Sequence, residues 1–236
     1  MKTVILAGGL GTRLSEETRS KPKPLVSIGR FPILWHLLKI YEFYNQNEFI
    51  IAGGYKQNHI KNFLLKNNNL NSKINLIDTG SDTNTGGRLF RLKKFLKNNT
   101  FMLTYGDGLA NININKLINF HKKHKSLATI TVVRPPARWG SVKITNNTVN
   151  KFEEKNQLNE GWINGGFFIF EPEIFNYIKN GDSTILEYDV LPILAKKKYL
   201  KAYKHQGFWQ CMDNLRDKKT LEKLWNQKNP PWKIWK

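Results

Sequence analysis

The chain has 236 residues, of which 40% are hydrophobic and 12% aromatic, and 38 basic against 18 acidic side chains leave a formal net charge of +20. That apolar content suits an α/β domain with a real core and excludes a disordered chain, while the absence of any run of about 18 apolar residues excludes a membrane-spanning helix. The single cysteine, Cys211, excludes an intrachain disulfide and agrees with a reducing cytoplasm, and five histidines without metal-ligand spacing to cysteine exclude a structural zinc site.

Residues 4–7 form a short apolar run closed by glycine, the pattern of a first strand buried on both faces. The run is too short for a signal peptide, and Arg13, Glu16 and Glu17 follow at once. Pro32 opens a helix in which Ile33, Leu34, Leu37, Leu38 and Tyr41 recur at helical spacing. A second strand at 49–52 ends in Gly53-Gly54, a helix covers 60–65, and 67–71 is a polar, turn-prone linker. A third strand at 74–77, a helix at 89–96 and a fourth strand at 101–105 follow, the last stopping at Gly106-Asp107-Gly108. Strands alternating with helices predict βαβ units and a parallel sheet, whose ligands gather at the carboxyl ends of the strands.

Beyond Ala128 the texture changes to short strands at 128–133, 141–144, 149–153 and 167–170. Helices are predicted at 173–178 and 186–196, then a strand at 200–204 and a final helix at 215–225. Lysine and asparagine are scattered along faces such as 111–125, with no basic block interleaved with aromatics. The charge therefore reads as compositional bias, and no nucleic-acid partner is expected.

Gly8-Gly9-Leu10-Gly11-Thr12-Arg13-Leu14 is a glycine-rich loop directly after a buried strand. Backbone N–H groups without side chains around them can close on phosphate oxygens, and Arg13 adds a charged fork. Two familiar phosphate loops are excluded. A P-loop needs Gly-Lys-Ser/Thr where this chain has Gly11-Thr12-Arg13, and a dinucleotide fingerprint needs an acidic residue where the second strand ends in Ala52-Gly53-Gly54-Tyr55. In Lys21-Pro22-Lys23-Pro24 two prolines stiffen the chain around Lys23, which could neutralise an α-phosphate or belong to a solvated loop. Asp107 is an isolated carboxylate at a strand end, suited to a hard divalent cation held by one or two carboxylates and substrate phosphates. Asp213 is either the second ligand or the N-cap of the following helix. Glu154-Lys155 and Asn164-Gly165-Gly166 could hydrogen-bond a sugar phosphate or be ordinary surface.

Together these segments resemble the nucleotidyltransferase superfamily that makes NDP-sugars. Residues 6–16 and Lys21-Pro22-Lys23-Pro24 carry that signature. Pro32-Ile33-Leu34-Trp35-His36, Asp78-Thr79-Gly80, Thr85-Gly86-Gly87-Arg88, Tyr105-Gly106-Asp107-Gly108, Ile163-Asn164-Gly165-Gly166-Phe167-Phe168, Gly207-Phe208-Trp209-Gln210, Met212-Asp213 and Pro231-Trp232-Lys233 resemble the narrower glucose-1-phosphate cytidylyltransferase family. The resemblance implies a Rossmann-like, mixed and mainly parallel sheet flanked by helices, the nucleotide-diphospho-sugar transferase fold, with a smaller carboxyl-terminal α+β part. A single domain over 1–236 would bind nucleotide with residues 1–127 and acceptor with residues 128–236.

The same resemblance implies site roles. Arg13 and Lys23 would be the catalytic, phosphate-binding cations. Leu6, Ala7, Gly8, Gly9, Gly11, Thr12, Gly87, Arg88 and Asp107 would complete the nucleotide site, Asp107 and Asp213 would hold Mg²⁺, and Glu154, Lys155, Asn164 and Gly165 would bind the acceptor. One departure is a short, Asn-rich connection at 65–73 where the family has a longer stretch, which bears on subunit contacts and acceptor choice. The expected activity is transfer of CMP from CTP to a sugar 1-phosphate, most simply α-D-glucose 1-phosphate, with Mg²⁺ as cofactor. The expected protein is a cytoplasmic homo-oligomer without membrane partners. Alternatives are a cytidylyltransferase with another phosphorylated acceptor and a non-catalytic nucleotide-binding module.

Overall fold

The computed structural model describes residues 1–66, 70–135, 141–153 and 161–235. Its centre is β1 (Lys2–Leu6), whose Thr3, Val4 and Ile5 are fully buried. β1 runs parallel to β4 (Glu48–Gly53) on one side and to β6 (Phe101–Tyr105) on the other. β5 (Lys73–Asp78) extends the parallel set beyond β4. On the far side β11 (Ile163–Phe170) pairs antiparallel with both β6 and β8 (Ala128–Val133), and β12 (Leu200–Lys204) closes the edge parallel to β8. The seven-stranded order β12-β8-β11-β6-β1-β4-β5 is the expected mixed, mainly parallel sheet, and both halves of the chain contribute to it.

Alternation along each strand divides the core into two layers. Ile5, Ile51, Met102 and Ile169 face a layer with α2 (Ile33–Phe43), α6 (Ile114–His124) and α8 (Leu215–Trp225), sealed by the fully buried Trp232. Their neighbours Val4, Ile50, Leu103 and Phe168 face the opposite layer, which contains α4 (Thr85–Arg91), α5 (Lys93–Leu96) and α7 (Leu191–Lys196). Among the described residues no helix is long and apolar enough to cross a membrane.

Several elements depart from their predicted bounds for identifiable reasons. The helix expected at 89–96 begins earlier, at Thr85, and breaks at Leu92. Gly86 and Gly87 form its first turn because the chain at 182–184 lies against them. A Cβ on Gly87 would stand 2.3 Å from the Asp182 carbonyl oxygen, and both glycine N–H groups donate to the Thr184 carbonyl at 2.9 and 3.1 Å. The helix expected at 186–196 is a widened π turn, Leu186–Val190, running into α7, since Pro192 has no N–H to continue regular bonding. The helix expected at 173–178 is a 3₁₀ turn, Pro172–Tyr177. The strand expected at 167–170 starts at Ile163, and a register shift lies between Asn164 and Phe168. The polar 65–73 connection lies partly outside the described residues.

Candidate active site

The loops that leave β1, β4, β5 and β6 meet at one edge of the sheet. Gly11 adopts φ 68°, a left-handed conformation that turns the chain into a short 3₁₀ segment, Thr12–Leu14. Leu6, Ala7, Gly8, Gly9, Gly11, Thr12, Arg13, Lys23, Arg88 and Asp107 all line one cavity of about 430 Å³. Gly87, predicted with them, is turned away and packs against Asp182. A second cavity, of about 580 Å³, holds Asn164, Gly165 and Asp213, with Trp209 and Arg216 also in its wall. The two cavities share Arg13, Tyr105 and Asp107. Glu154 and Lys155 lie outside the described residues.

Where the cavities meet, opposite charges interlock. The Lys23 ammonium donates to Asp107 at 2.7 Å and to Asp213 at 2.9 Å, and Arg13 donates to the other Asp213 oxygen at 2.9 Å. Lys23 is held by the two prolines beside it, Pro22 in extended geometry and Pro24 in a short 3₁₀ turn, Lys23–Leu25. Burial pulls its pKa down, but the charges of Asp107 and Asp213 outweigh burial and leave it raised. Burial likewise pushes Asp213 up, and Lys23 and Arg13 outweigh that to hold it below the usual carboxylate range. Lys23 and Asp213 therefore both carry their charge around neutral pH.

Asp213 reaches Asp107 through a strand pairing too short to show a hydrophobic period. β7 (Gly108–Ala110) pairs antiparallel with β13 (Trp209–Cys211), and the Met212 N–H donates to the Asp107 carbonyl at 2.8 Å. Asp213 is not the N-cap of α8. Asn214 caps α8, accepting from the Asp217 N–H at 3.0 Å, so the Asp213 carboxylate is free to face the cavity. Cys211 is beside it, but burial and the charges of Asp213, Asp107 and Asp217 push its thiol up to about 12, which keeps it a neutral thiol.

Arg88 has a different role from Arg13. It is 4% exposed, and its Nη atoms donate to the carbonyls of Gly8 at 2.8 Å, Gly53 at 3.1 Å and Gly80 at 2.6 Å. It also donates to the Thr79 hydroxyl at 2.9 Å. It ties the ends of β1, β4 and β5 together and shapes the glycine loop from behind. Tyr105, Thr85, Glu187 and Trp209 also sit in the cavity walls, and none was assigned a role from sequence. Tyr105, Thr85 and Trp209 fall inside recognisable motifs; Glu187 carries no local signal.

The donor set suits Mg²⁺. Two carboxylates converge closely enough to share one cation, as their common contact with Lys23 shows. Among the described residues no group of three or more His, Cys, Asp or Glu side chains could hold a metal. A cation here would thus complete its shell with phosphate and water oxygens, the habit of Mg²⁺.

The nucleotidyl transferase family profile matches residues 2–220. Proteins named glucose-1-phosphate cytidylyltransferase from Salmonella typhimurium and Salmonella typhi are each 44% identical over the full length of both chains. The solved structure of HddC from Yersinia pseudotuberculosis superposes with a TM-score of 0.77 at 28% identity, covering 95% of this chain and 99% of that one. With the glycine loop, the paired carboxylates and the second cavity in place, the chain belongs to the nucleotidyl transferase family and, within it, to the glucose-1-phosphate cytidylyltransferases.

Proposed function

We propose that this protein transfers CMP from CTP to α-D-glucose 1-phosphate, forming CDP-glucose and releasing pyrophosphate. The observation that carries the reading is the meeting of two cavities at Arg13, Tyr105 and Asp107, one walled by the glycine loop and the other by Asn164 and Gly165. The first would take the nucleotide and the second the sugar phosphate, so the two reacting phosphates face each other at the shared wall.

An acceptor phosphate oxygen attacks the α-phosphorus of CTP; the new P–O bond forms as the bond to the bridging oxygen breaks, and pyrophosphate departs with that electron pair. The attacking oxygen is already ionised, so no general base is needed and catalysis consists of positioning and charge neutralisation. Arg13, three-quarters exposed at the cavity junction, and Lys23 supply fixed positive charge to the crowded phosphates. Asp107 and Asp213 would hold Mg²⁺, which when bound neutralises phosphate charge and stabilises the departing pyrophosphate. Arg88, bonded to the Gly8 carbonyl, holds the glycine loop in place along the wall of the first cavity.

Pyrophosphate release measured with each of the four NTPs and glucose 1-phosphate tests the reading. Turnover is expected with CTP and Mg²⁺, with Lys23→Ala and Asp213→Ala each losing at least about a hundredfold in kcat. Clear turnover with another NTP and none with CTP would overturn the nucleotide assignment, and a fully active Asp213→Ala would remove that residue from the metal site.

A further inference from the structure

Tyr105 stands in the wall common to both cavities, and its hydroxyl is the middle of a chain of hydrogen bonds that crosses it. On the nucleotide side the phenol donates to Oε1 of Glu187, and the Thr85 hydroxyl donates to Oε2 of the same carboxylate at 2.6 Å. Thr85 in turn accepts the Leu186 N–H at 2.9 Å. On the acceptor side the Asn164 side-chain amide donates to the phenol oxygen at 3.0 Å, and the Asn164 carbonyl oxygen accepts the Gly166 N–H at 2.8 Å. Gly166 has φ 79°, and a Cβ there would lie 2.8 Å from Cδ2 of Tyr105, so this stretch of β11 is packed directly on the ring.

Every direction in the chain follows from the carboxylate. An ionised Glu187 can only accept, so the protons of Thr85 and Tyr105 must both point at it. The Tyr105 hydroxyl has one proton, and its bond to Glu187 uses it. With that proton committed, the phenol oxygen presents only lone pairs to Asn164, which must turn its NH₂ toward it. That orientation leaves the Asn164 side-chain oxygen to accept the Gly166 N–H.

We propose that Glu187 is a positioning residue for the acceptor: although it lines the nucleotide cavity, it acts through Tyr105 to orient Asn164 and the Gly165–Gly166 wall of the other cavity. The inference rests on the assignment of the second cavity to the sugar phosphate. Without the carboxylate, Tyr105 has no acceptor on the nucleotide side and donates instead to Asn164. That flips the amide, breaks its bond to Gly166 and misaligns the acceptor wall.

The test is a kinetic double-mutant cycle on the full-length protein with CTP and glucose 1-phosphate. Glu187→Ala and Tyr105→Phe are each expected to raise the acceptor KM by about tenfold, with the CTP KM changed by less than about threefold. The double variant should be little worse than either single one, because both remove the same link. Glu187→Gln, which keeps an oxygen for the Tyr105 proton, should restore most of the acceptor affinity. A rise confined to the CTP KM would make Glu187 a nucleotide contact and overturn the proposal, as would independent, multiplicative losses. Should Glu187→Ala fail to fold, Tyr105→Phe and Glu187→Gln carry the same comparison: an acceptor-specific loss in the first is required, and an equal loss in the second sinks the proposal. Failure of the substrate assignment itself is distinguishable, because the wild-type protein would then show no turnover with this pair.

Discussion

Single buried side chains set the conditions under which this fold and its site operate. His36 is fully buried on α2, donating from Nε2 to the Ile28 carbonyl at 3.0 Å and accepting the Trp232 indole N–H at Nδ1, 3.4 Å away. Protonation would place a second donor against that indole. Burial accordingly lowers its pKa from 6.5 to about 4. Between these values the unfolded chain binds a proton that the folded chain does not, so stability falls as pH drops through this window. The loss should approach about 3 kcal/mol by pH 4, and thermal melts across the range should show a slope that His36→Gln largely removes. Residue types and spacing pointed to Arg13, Lys23, Asp107 and Asp213. The roles of Arg88 and Glu187 were not legible, because which partner an arginine or a carboxylate meets depends on chain segments about 80 residues away.

At the scale of elements, α4 shows how two glycines serve a helix rather than a loop. Its first turn lies so close to the chain at 182–184 that only hydrogen atoms fit between them. Gly87→Ala would force a Cβ to within 2.3 Å of a backbone oxygen that has no freedom to withdraw. It should cost about 2 kcal/mol in denaturant unfolding and loosen Arg88 behind the glycine loop. Gly9→Ala, with nothing within 4 Å of the added carbon, should leave stability within about 0.5 kcal/mol. Sequence patterning located β1, β4, β5, β6, β8 and β12, along with α2 and α8, because each is long enough to leave an apolar run or spacing. It missed β7 and β13, three residues each, since so short a pairing has no period to read.

The whole molecule is joined by contacts between distant parts of the chain. The sheet interleaves both halves, and the carboxyl-terminal segment returns to seal the first layer. Trp232 is fully buried there, stacked on Phe208 at 5.5 Å and on Trp225 at 6.2 Å. Trp232→Ala should cost about 3 to 5 kcal/mol, seen as a large fall in the unfolding midpoint, although the residue lies on the core side of the sheet and lines neither cavity. By itself, the order of apolar runs, glycines and prolines determined the sheet class and marked the glycine loop and the two cationic side chains beside it, because those are local properties of backbone freedom and residue charge. Only the tertiary structure decided that Asp213 faces Asp107, that Arg88 is a tether, and that one tyrosine links both cavities. Each of these depends on where a distant segment comes to rest, and that is set by packing across the whole core.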